Sequence, residues 1–426
     1  MNRRHQVSTK LSAARQGQAM QERDNEVVIV GGGAGGAELA VRLARAGCAL
    51  RLIDQAATHV WKPRLHELAA GAARGELGEI AYRDLAEQWG FVFEQAGLVD
   101  IDPAAKQVTL DNDSRRGYRA LVLAVGGVTP DLGVTGVREH AVMLDRSPDA
   151  DALYRRFTDA LDRAAAAEPA RAARVVIVGT GLTGVELAGY LASHRHVVAK
   201  PDGDQPQTLA IHLVEASDTF MPGIEDAPSR RGARTRLADL GVSIHTGCAV
   251  AEVGADHVTS ENGERFDADV TVWAAGRIGS PLAARIDALA ANDRQQWLVR
   301  DTLQSRDHDD IFALGDCSAC PESDWPATAQ VASQQAEHLA EQVMAYLDGG
   351  SPSAFVFRDK GLLMSFGDGG DLGLVRGPLG DDLRIHGQVS HAAYRGLERQ
   401  HQWVLLGTRT TLEGVAGDVF AALRRR

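Results

Sequence analysis

The strongest constraint on this chain is a glycine-containing segment that occurs twice. The sequence "VVIVGGGAGGAELAVRLARAG" spans residues 27–47, and "VVIVGTGLTGVELAGYLAS" spans residues 175–193. Each copy has a short apolar strand, a glycine turn and a helical segment whose apolar residues recur every three or four positions. This order of elements opens a dinucleotide-binding fold. Two copies therefore predict an α/β protein with two nucleotide-binding halves.

In the first copy, Gly31, Gly33 and Gly36 satisfy the pattern G-x-G-x-x-G. The first glycine permits the tight turn, the second lets the backbone approach a pyrophosphate, and the third lets helix and strand pack closely. The helix N-terminus also attracts the phosphate charge. Asp54 ends the next strand, 18 residues after Gly36, where its carboxylate is placed to accept hydrogen bonds from an adenosine ribose.

In the second copy, Gly179, Gly181 and Gly184 repeat the pattern, and Glu215 ends the following strand. The gap of 31 residues from Gly184 to Glu215 is long because the polar segment "SHRHVVAKPDGDQPQ" delays that strand. An acid at this position repels a 2′-phosphate, so NADH should be preferred over NADPH. One such pattern alone could be an ordinary glycine turn, but two copies in the same context favour cofactor sites.

The composition narrows the class of protein and its partners. At 426 residues the chain is long enough for at least two domains, and its four cysteines fit a reducing cytoplasm. Its net charge of -12 disfavours nucleic-acid binding, which needs a basic face. The polar start lacks the apolar core of a secretory signal. No run of about 18 apolar residues occurs, which excludes a spanning helix but leaves attachment to a membrane surface open.

Two further segments extend the pattern, namely "YRALVLAVGG" at 118–127 and "TLQSRDHDDIFALGDCS" at 302–318. Together with the glycine turns they resemble the flavoprotein superfamily with two dinucleotide-binding domains, in which an NAD(P)H domain interrupts an N-terminal FAD domain. The resemblance implies FAD as a cofactor. It also implies that Asp316 bonds the ribityl chain of FAD, with Gly315 allowing a close backbone approach, and that Gly126 lies at the cofactor.

Within that superfamily the chain most resembles the type II NADH dehydrogenases, the single-subunit, non-pumping NADH:quinone oxidoreductases. "THVWKPRLHELAAG" at 58–71, which contains Lys62, resembles the family's flavin-side segment. "VWAAG", ending at Gly276, resembles its nicotinamide-side loop, and "AQVASQ" at 329–334 resembles its quinone motif. The implied activity is hydride transfer from NADH to FAD, followed by transfer of two electrons to a membrane quinone.

Four residues are the candidates for the catalytic part of the site. Gln330 and Gln334 lie four apart on one helical face, where neutral amides can bond quinone carbonyls. The resemblance places Glu186 near flavin and nicotinamide, where a carboxylate positions the nicotinamide or relays a proton. It also places Lys360 toward the quinone. The plainer alternatives are a helix surface with two glutamines and a solvated helix acid.

The stretch "GDCSACP" also contains a closely spaced cysteine pair, Cys317 and Cys320. The flavin disulfide reductases of the superfamily place their redox pair elsewhere, and zinc would need a second pair of ligands, so no metal site is predicted. We expect buried, unreactive thiols at a helix start, although a helix N-terminus can lower a thiol pKa and a modulating redox role stays open.

The C-terminal region predicts two amphipathic helices with basic residues. Their apolar positions include Tyr394, Leu397, Leu405, Leu412 and Val419. An acidic protein that ends in basic amphipathic helices suggests docking on an anionic membrane surface, here the cytoplasmic face of the cell membrane. Packing on the body, or at a homodimer interface, is the alternative.

The expected architecture is α/β with two Rossmann-like domains and a C-terminal α-helical, membrane-associating region. Two rival functions are a soluble NADH-flavin reductase with another acceptor, and a non-enzymatic, nucleotide-sensing flavoprotein resembling apoptosis-inducing factor. The predicted divisions are a polar tail (1–24), an FAD-binding domain in two parts (25–147 and 298–350), an NADH-binding domain (148–297) and the C-terminal region (351–426).

Overall fold

The structure is a computed structural model that describes residues 26–72, 79–193, 209–367, 369–377 and 381–424. The polar tail 1–24 predicted from the sequence lies outside these residues, as does nearly all of the polar segment that follows Ser193.

The helices lie between and after the strands of an α/β chain. They are α1 Ala34–Arg45, α2 Leu65–Ala69, α3 Tyr82–Trp89, α4 Val137–His140, α5 Ser147–Ala166, α6 Leu182–Ser193, α7 Ala227–Asp239, α8 Ala329–Leu347 and α9 Gly387–Arg424, with short 3-10 helices at Lys62–Arg64 and Gly315–Cys317. The strands are β1 Val27–Val30, β2 Leu50–Asp54, β3 Thr58–His59, β4 Ile80–Ala81, β5 Val92–Gln95, β6 Leu98–Asp102, β7 Gln107–Leu110, β8 Arg115–Gly117, β9 Ala120–Leu123, β10 Ala141–Met143, β11 Ala173–Val178, β12 Leu209–Val214, β13 Val242–His245, β14 Val250–Val253, β15 His257–Ser260, β16 Arg265–Asp267, β17 Val270–Trp273, β18 Trp297–Leu298, β19 Ile311–Ala313, β20 Ser318–Ala319, β21 Gly361–Met364, β22 Leu372–Arg376 and β23 Asp382–His386.

Two five-stranded sheets, parallel throughout, form the centre of the protein. The first has the order β19-β9-β1-β2-β5 and the second the order β10-β17-β11-β12-β13. Strand β19 follows the second sheet in sequence but pairs with β9 of the first. The α/β fold class with two dinucleotide-binding sheets is thereby confirmed.

The second sheet is covered on both faces, which explains its continuous apolar strands. Val175 and Ile177 of β11 pack into one core with Leu187 of α6. The alternate residue Val176 packs into a separate core with Phe266 of the antiparallel sheet β14-β15-β16. Because successive strand side chains point to opposite faces, β11 is buried from both sides.

The region after residue 350 contains a sheet that the sequence analysis did not predict. Strands β21, β22 and β23 form an antiparallel sheet, and the predicted helices follow it as α9. Helix α9 is interrupted at Gly407, whose φ of 79° and ψ of 175° are not helical. Leu412, Val415, Ala416, Val419 and Leu423, the apolar residues predicted for the second half, have side chains outside the described part.

The first half of α9 is seated on the first sheet's helices. Three side chains donate hydrogen bonds to its last carbonyl groups: Arg45 to Val404 O at 3.0 Å, Gln88 to Leu406 O at 3.0 Å, and Trp89 to Leu405 O at 2.6 Å. These donors satisfy carbonyls that a broken helix leaves without partners. Across the described ranges, no helix combines the length and the apolar character needed to cross a bilayer.

Replacing Gly184 by Ala should destabilise the protein. The added Cβ atom would lie 2.1 Å from the carbonyl oxygen of Gly179, an overlap that forces the helix away from the strand and costs about 2 kcal/mol or more. The midpoint of thermal unfolding should fall by roughly 4 °C or more. Gly181→Ala is the matched control, because its Cβ atom meets nothing within 4 Å. Equal midpoints for the two variants would contradict this account of the turn.

Candidate functional site

The first glycine turn, between β1 and α1, leaves its backbone open at one position. A Cβ atom on Gly31 would lie 2.4 Å from the carbonyl oxygen of Ala124, and one on Gly36 would lie 1.9 Å from that of Gly31. A Cβ atom on Gly33 would meet no atom within 4 Å. Internal packing therefore requires the first and third glycines, whereas the second exposes the backbone to a ligand. This arrangement fits a dinucleotide pyrophosphate.

Asp54, at the end of β2, is bound to the same turn. Its Oδ2 atom accepts a hydrogen bond from the Gly32 amide at 2.6 Å, and its Oδ1 atom accepts one from the Ala56 amide at 2.8 Å. Burial raises the pKa of Asp54, and the two amides oppose that shift. The carboxylate thus fixes the turn and keeps lone pairs available to ribose hydroxyls, since a carboxylate has about four acceptor sites.

The second glycine turn, between β11 and α6, repeats this geometry. A Cβ atom on Gly179 would lie 2.5 Å from the carbonyl oxygen of Ala274, whereas Gly181 again has no atom within 4 Å of that position. Glu215 Oε2 accepts from the Thr180 amide at 3.0 Å, and its Oε1 atom accepts from the Ser217 amide at 3.0 Å. The two acids therefore have equivalent places in the two halves.

The loops that follow β9 and β17, the strands beside β1 and β11 in the two sheets, join the two halves. The amides and carbonyls of Val128 and Ile278 exchange two hydrogen bonds of 3.0 Å. Gly126 and Gly276 precede this pairing with left-handed φ values of 71° and 78°, which favour glycine. Both glycines predicted at the cofactor thus lie where the carboxyl ends of the two sheets meet.

Asp316 lies beside this junction, in the 3-10 helix Gly315–Cys317. Its Oδ2 atom accepts a hydrogen bond from Arg277 Nε at 2.5 Å, and Arg277 also lies 3.7 Å from Asp145. Gly315, with a φ of 71°, donates its amide to Gln335 Oε1 at 2.7 Å. An ion pair therefore connects the late Gly-Asp segment to the loop after β17.

Lys62 lies close enough to Arg277, Asp145 and Asp316 to interact with their charges. Its side chain is exposed, yet protein surrounds it on most sides, and the resulting desolvation together with the charge of Arg277 lowers the pKa of Lys62. The carboxylates of Asp145, Asp316 and Asp54 act in the opposite direction. Exposure combined with crowding is typical of a group in a concave site, so the flavin-side segment contributes a cation there.

Glu186, on α6, is buried rather than solvated, with 6% of its surface exposed. Its Oε1 atom accepts a hydrogen bond from the Ser365 amide at 3.1 Å, and its Oε2 atom lies 3.7 Å from His66 Nδ1. Burial raises the pKa of Glu186 well above the ordinary value. Burial also lowers the pKa of His66 to about 4. Both shifts favour the uncharged forms, a protonated acid beside a neutral imidazole.

Gln330 and Gln334, near the start of α8, use their amides on the backbone of residues 358–361. Gln330 Oε1 accepts from the Lys360 amide at 2.7 Å, and Gln330 Nε2 donates to Gly361 O at 3.3 Å. Gln334 exchanges two hydrogen bonds with the Arg358 backbone, at 2.9 and 3.1 Å. The predicted contact with quinone carbonyls stays a prediction, and in this structure the two amides hold the segment that contains Lys360.

The two cysteines of "GDCSACP" are buried, as expected. Cys317 is fully buried and Cys320 is 4% exposed. Burial raises the pKa of Cys317 to about 12 and also raises the pKa of Cys320, which fits unreactive thiols. The expectation that they begin a helix was wrong. Cys317 ends a short 3-10 helix, Cys320 directly follows β20, and α8 begins only at Ala329.

Two contacts near the site were missed from the sequence. Arg277, the partner of Asp316, directly follows "VWAAG", and its position beside that loop was the available signal. Arg64, inside the flavin-side segment and 2% exposed, donates to Glu67 at 2.7 Å and to Glu398 of α9 at 2.6 Å. No local pattern predicts a partner that lies 334 residues away.

Comparison with known proteins now defines the family. Residues 25–336 match the family described as pyridine nucleotide-disulphide oxidoreductase. The type II NADH:quinone oxidoreductase of Haemophilus influenzae is 32% identical over 418 residues, which cover 89% of this chain and 94% of that protein. The chain belongs to the type II NADH:quinone oxidoreductase family. The enzyme of that name from Staphylococcus aureus is 28% identical, covering 84% of this chain and 91% of its own.

Solved structures show the same fold at lower identity. NDH2 from Plasmodium falciparum in complex with NADH is 16% identical, with a TM-score of 0.77 and coverage of 90% of this chain and 97% of that chain. The sulfide:quinone oxidoreductase of Aquifex aeolicus is 17% identical, with a TM-score of 0.76 and coverage of 90% and 92%. The family resemblance and the FAD and NADH cofactors predicted from the sequence are confirmed at the level of the type II NADH:quinone oxidoreductase family.

Glu215 should discriminate between the two nicotinamide cofactors. Glu215→Gln removes the charge that repels a 2′-phosphate while keeping a hydrogen-bond acceptor for the turn. The preference for NADH over NADPH, measured as the ratio of kcat/KM values, should fall about tenfold, or about 1.4 kcal/mol. Asp218→Asn, which removes an exposed charge three residues away, is the control and should leave the ratio unchanged. An unaltered ratio in Glu215→Gln would exclude Glu215 as the discriminator.

Proposed function

We propose that this protein is an FAD-dependent NADH:quinone oxidoreductase that does not pump protons. The observation that supports this most directly is the pair of matched glycine turns, each with an open second glycine and an amide-bound acid, joined at Val128 and Ile278. Two dinucleotides held in these turns would extend toward a common junction. Family membership agrees with that arrangement.

The first half would hold FAD. Gly31, Gly33 and Gly36 would receive its pyrophosphate at the N-terminus of α1, and Asp54 would bind its ribose. Asp316 would accept hydrogen bonds from the ribityl hydroxyls with the Oδ1 oxygen, since Arg277 already binds Oδ2. When bound, FAD supplies a ring that takes a hydride from NADH and passes two electrons to quinone.

The second half would hold NADH, with its pyrophosphate at the N-terminus of α6 and its ribose at Glu215. Gly181 leaves the backbone open there. Gly276 lies in the loop after β17, and this loop would lie along the nicotinamide. The contribution of these residues is orientation, because holding two reactants in line removes much of the entropic barrier.

Glu186 is the candidate proton donor. NADH delivers two electrons and one proton as hydride, whereas reduction of a quinone to a quinol consumes two electrons and two protons, so one further proton has to be supplied. Burial raises the pKa of Glu186 well above the ordinary value, which favours the protonated carboxyl that a donor needs. The Ser365 amide holds Oε1, Oε2 lies on the side of His66, and Tyr394 also forms a hydrogen bond with this carboxyl group.

The quinone would be received near the start of α8. Gln330 and Gln334 fix the backbone of residues 358–361, and this holds the exposed Lys360 at the edge of β21. We assign the glutamines a positioning role for that segment, in addition to the quinone contact predicted from their sequence motif. Lys360 would then supply a positive charge where quinone oxygens gain electron density.

The C-terminal region would rest on a membrane, where the quinone resides. Among the side chains described after residue 350, five large apolar ones are more than 45% exposed, and Arg384, Arg395 and Arg399 lie in the same region. Apolar side chains with basic neighbours suit an anionic leaflet, and in cells the cytoplasmic leaflet is the anionic one. The five side chains are Val356, Leu383, Val389, Leu397 and Trp403.

An anaerobic titration tests the function directly. The purified protein with FAD bound is reduced with NADH and then mixed with a soluble quinone, while flavin absorbance is followed. Bleaching by one equivalent of NADH and rapid recovery with quinone are expected, because both reactants would reach the same junction.

The other outcomes of this titration are equally informative. Reduction without rapid reoxidation by quinone, but with recovery in the presence of a ferredoxin or oxygen, would support a soluble reductase instead. A persistent long-wavelength band and slow turnover with every acceptor would support a nucleotide-sensing flavoprotein. Either result would overturn the quinone assignment.

Membrane attachment should depend on the exposed apolar residues of α9. In the double variant Leu397→Glu and Trp403→Glu, binding to vesicles rich in anionic lipid should weaken at least about tenfold, because two apolar side chains that would enter the bilayer become negatively charged. Co-sedimentation at low salt measures the binding.

The matched control replaces two exposed apolar residues outside the C-terminal region by Glu. Val92 and Val99 are each 43% exposed and lie in β5 and β6, so Val92→Glu with Val99→Glu should bind vesicles like the unaltered protein. Equal weakening in both double variants would count against the C-terminal surface. A change of mass on size-exclusion chromatography in the α9 variant alone would instead assign this surface to a homodimer.

A further inference from the structure

A chain of buried polar side chains connects the C-terminal helix to the first glycine turn. It runs from Glu38 of α1 through His401 of α9 to His59 of β3, and their exposed fractions are 2%, 3% and 2%. His401 Nδ1 lies 2.7 Å from Glu38 Oε1, and His401 Nε2 lies 2.8 Å from His59 Nε2. His59 Nδ1 lies 2.9 Å from the carbonyl oxygen of Gly32. Neither histidine belongs to the site described above.

The Gly32 carbonyl determines where the protons of this chain lie. A backbone carbonyl only accepts, so His59 Nδ1 bears a hydrogen and donates it to Gly32. Burial and the neighbouring His401 lower the pKa of His59 to about 3, so His59 is neutral and its Nε2 atom is an acceptor. His401 Nε2 is then the donor to His59. The 2.7 Å contact between His401 Nδ1 and Glu38 Oε1 is the remaining hydrogen bond of the chain.

Further contacts hold Glu38, at one end of the chain, and His401 in its middle. Glu38 Oε2 accepts a hydrogen bond from Ser333 of α8 at 2.9 Å and lies 3.5 Å from Arg42. The indole of Trp61 stacks on His401, with ring centroids 4.3 Å apart. These contacts leave His401 little freedom to rotate, so its donor is directed at His59.

The chain ends on a peptide group whose orientation matters for a cofactor. In a trans peptide the C=O and the following N–H point in opposite directions, so the Gly32 carbonyl direction sets that of the Gly33 amide. Tyr82 also donates to the Gly32 carbonyl, at 2.6 Å. A peptide between two glycines rotates easily, and these two donors hold it with its N–H directed away from His59 and Tyr82.

We propose that His59 and His401 are positioning residues for FAD: they hold the Gly32 carbonyl, thereby directing the Gly33 amide at the pyrophosphate, and through them α9 supports the cofactor. The inference rests on the proposed FAD role of the first glycine turn. It adds a function for a helix otherwise assigned to the membrane surface. In this role, neither histidine needs to be positively charged or to transfer a proton.

The test compares substitutions that keep or remove the donor. In His59→Asn the side-chain amide nitrogen can replace Nδ1 as a donor to Gly32, whereas His59→Phe has no donor. The dissociation constant for FAD, measured by ultrafiltration of the holoprotein, should rise at least about tenfold in His59→Phe and less than about threefold in His59→Asn. The 31P resonances of the bound pyrophosphate should shift in His59→Phe.

A second pair tests the outer member in case His59→Phe does not fold. The amide nitrogen of His401→Gln can replace Nε2 as the donor to His59, whereas His401→Phe cannot donate. The binding of FAD should be weakened in His401→Phe and largely retained in His401→Gln. Equal FAD affinity in the Phe and Gln variants would overturn the proposal, as would unshifted 31P resonances in a folded Phe variant.

Trp89→Phe separates this role from general loosening of α9. It removes the hydrogen bond to Leu405 O and touches neither histidine, so the melting temperature should fall while FAD affinity and 31P resonances stay unchanged. Loss of FAD in Trp89→Phe to the same degree as in His401→Phe would overturn the proposal. If the unaltered protein failed to bind FAD, the proposed function itself would fail. Tight FAD binding by all variants would contradict this inference but leave the proposed function unaffected.

Discussion

Two backbone hydrogen bonds between Val128 and Ile278 determine how the two nucleotide-binding units face each other. Parallel strands present their functional loops at their carboxyl ends, and this pairing joins the loop after β9 directly to the loop after β17. The approach is close: a Cβ atom on Gly127 would lie 2.3 Å from the carbonyl oxygen of Ile278. The Arg277 and Asp316 ion pair forms beside it. A side chain at position 127 would separate the loops and both halves of the site with them.

Buried charge fixes the third element, the C-terminal helix, against this pair of units. Burial opposes the charge of Arg64, but hydrogen bonds and attraction from Glu67 and Glu398 outweigh it and raise the pKa of Arg64. Such a cluster is weak evidence for added stability, because desolvation offsets much of the attraction. The cluster favours one position of α9, since a shift of α9 would separate the buried Glu398 from Arg64.

The parts of the site that the sequence predicted are those encoded locally. A Cβ atom on Gly33 or Gly181 would meet no other atom within 4 Å, as the spacing of the glycines suggests. Asp54 ends β2, and Glu215 directly follows β12. The contacts of Gln330 and Gln334 were not predictable in the same way, because their partners lie in residues 358–361 and no periodicity relates the two segments. Residues far apart in sequence meet only through the fold.

Local sequence patterns were also insufficient for two secondary-structure predictions: the sheet of β21, β22 and β23 was not predicted, and Cys317 and Cys320 were wrongly placed at a helix start. Strands β21 to β23 have four or five residues each, too few for alternation to distinguish them from loops. The thiols of Cys317 and Cys320 were expected at a helix start because the family motif "AQVASQ" follows closely, yet β20 and an irregular segment intervene before α8. Burial of the thiols was predicted correctly because it depends on composition around the turn rather than on helix limits.

The acid at the end of β12 has a consequence for the evolution of cofactor choice. Glu215 accepts hydrogen bonds from two backbone amides and from the Thr180 hydroxyl, so the acid that we propose to select the ribose is also a structural part of the turn. Replacing Glu215 by a residue that binds a 2′-phosphate would leave those donors without an acceptor. A lineage changing from NADH to NADPH would therefore have to alter the selecting residue and the turn together, which makes this preference slow to reverse.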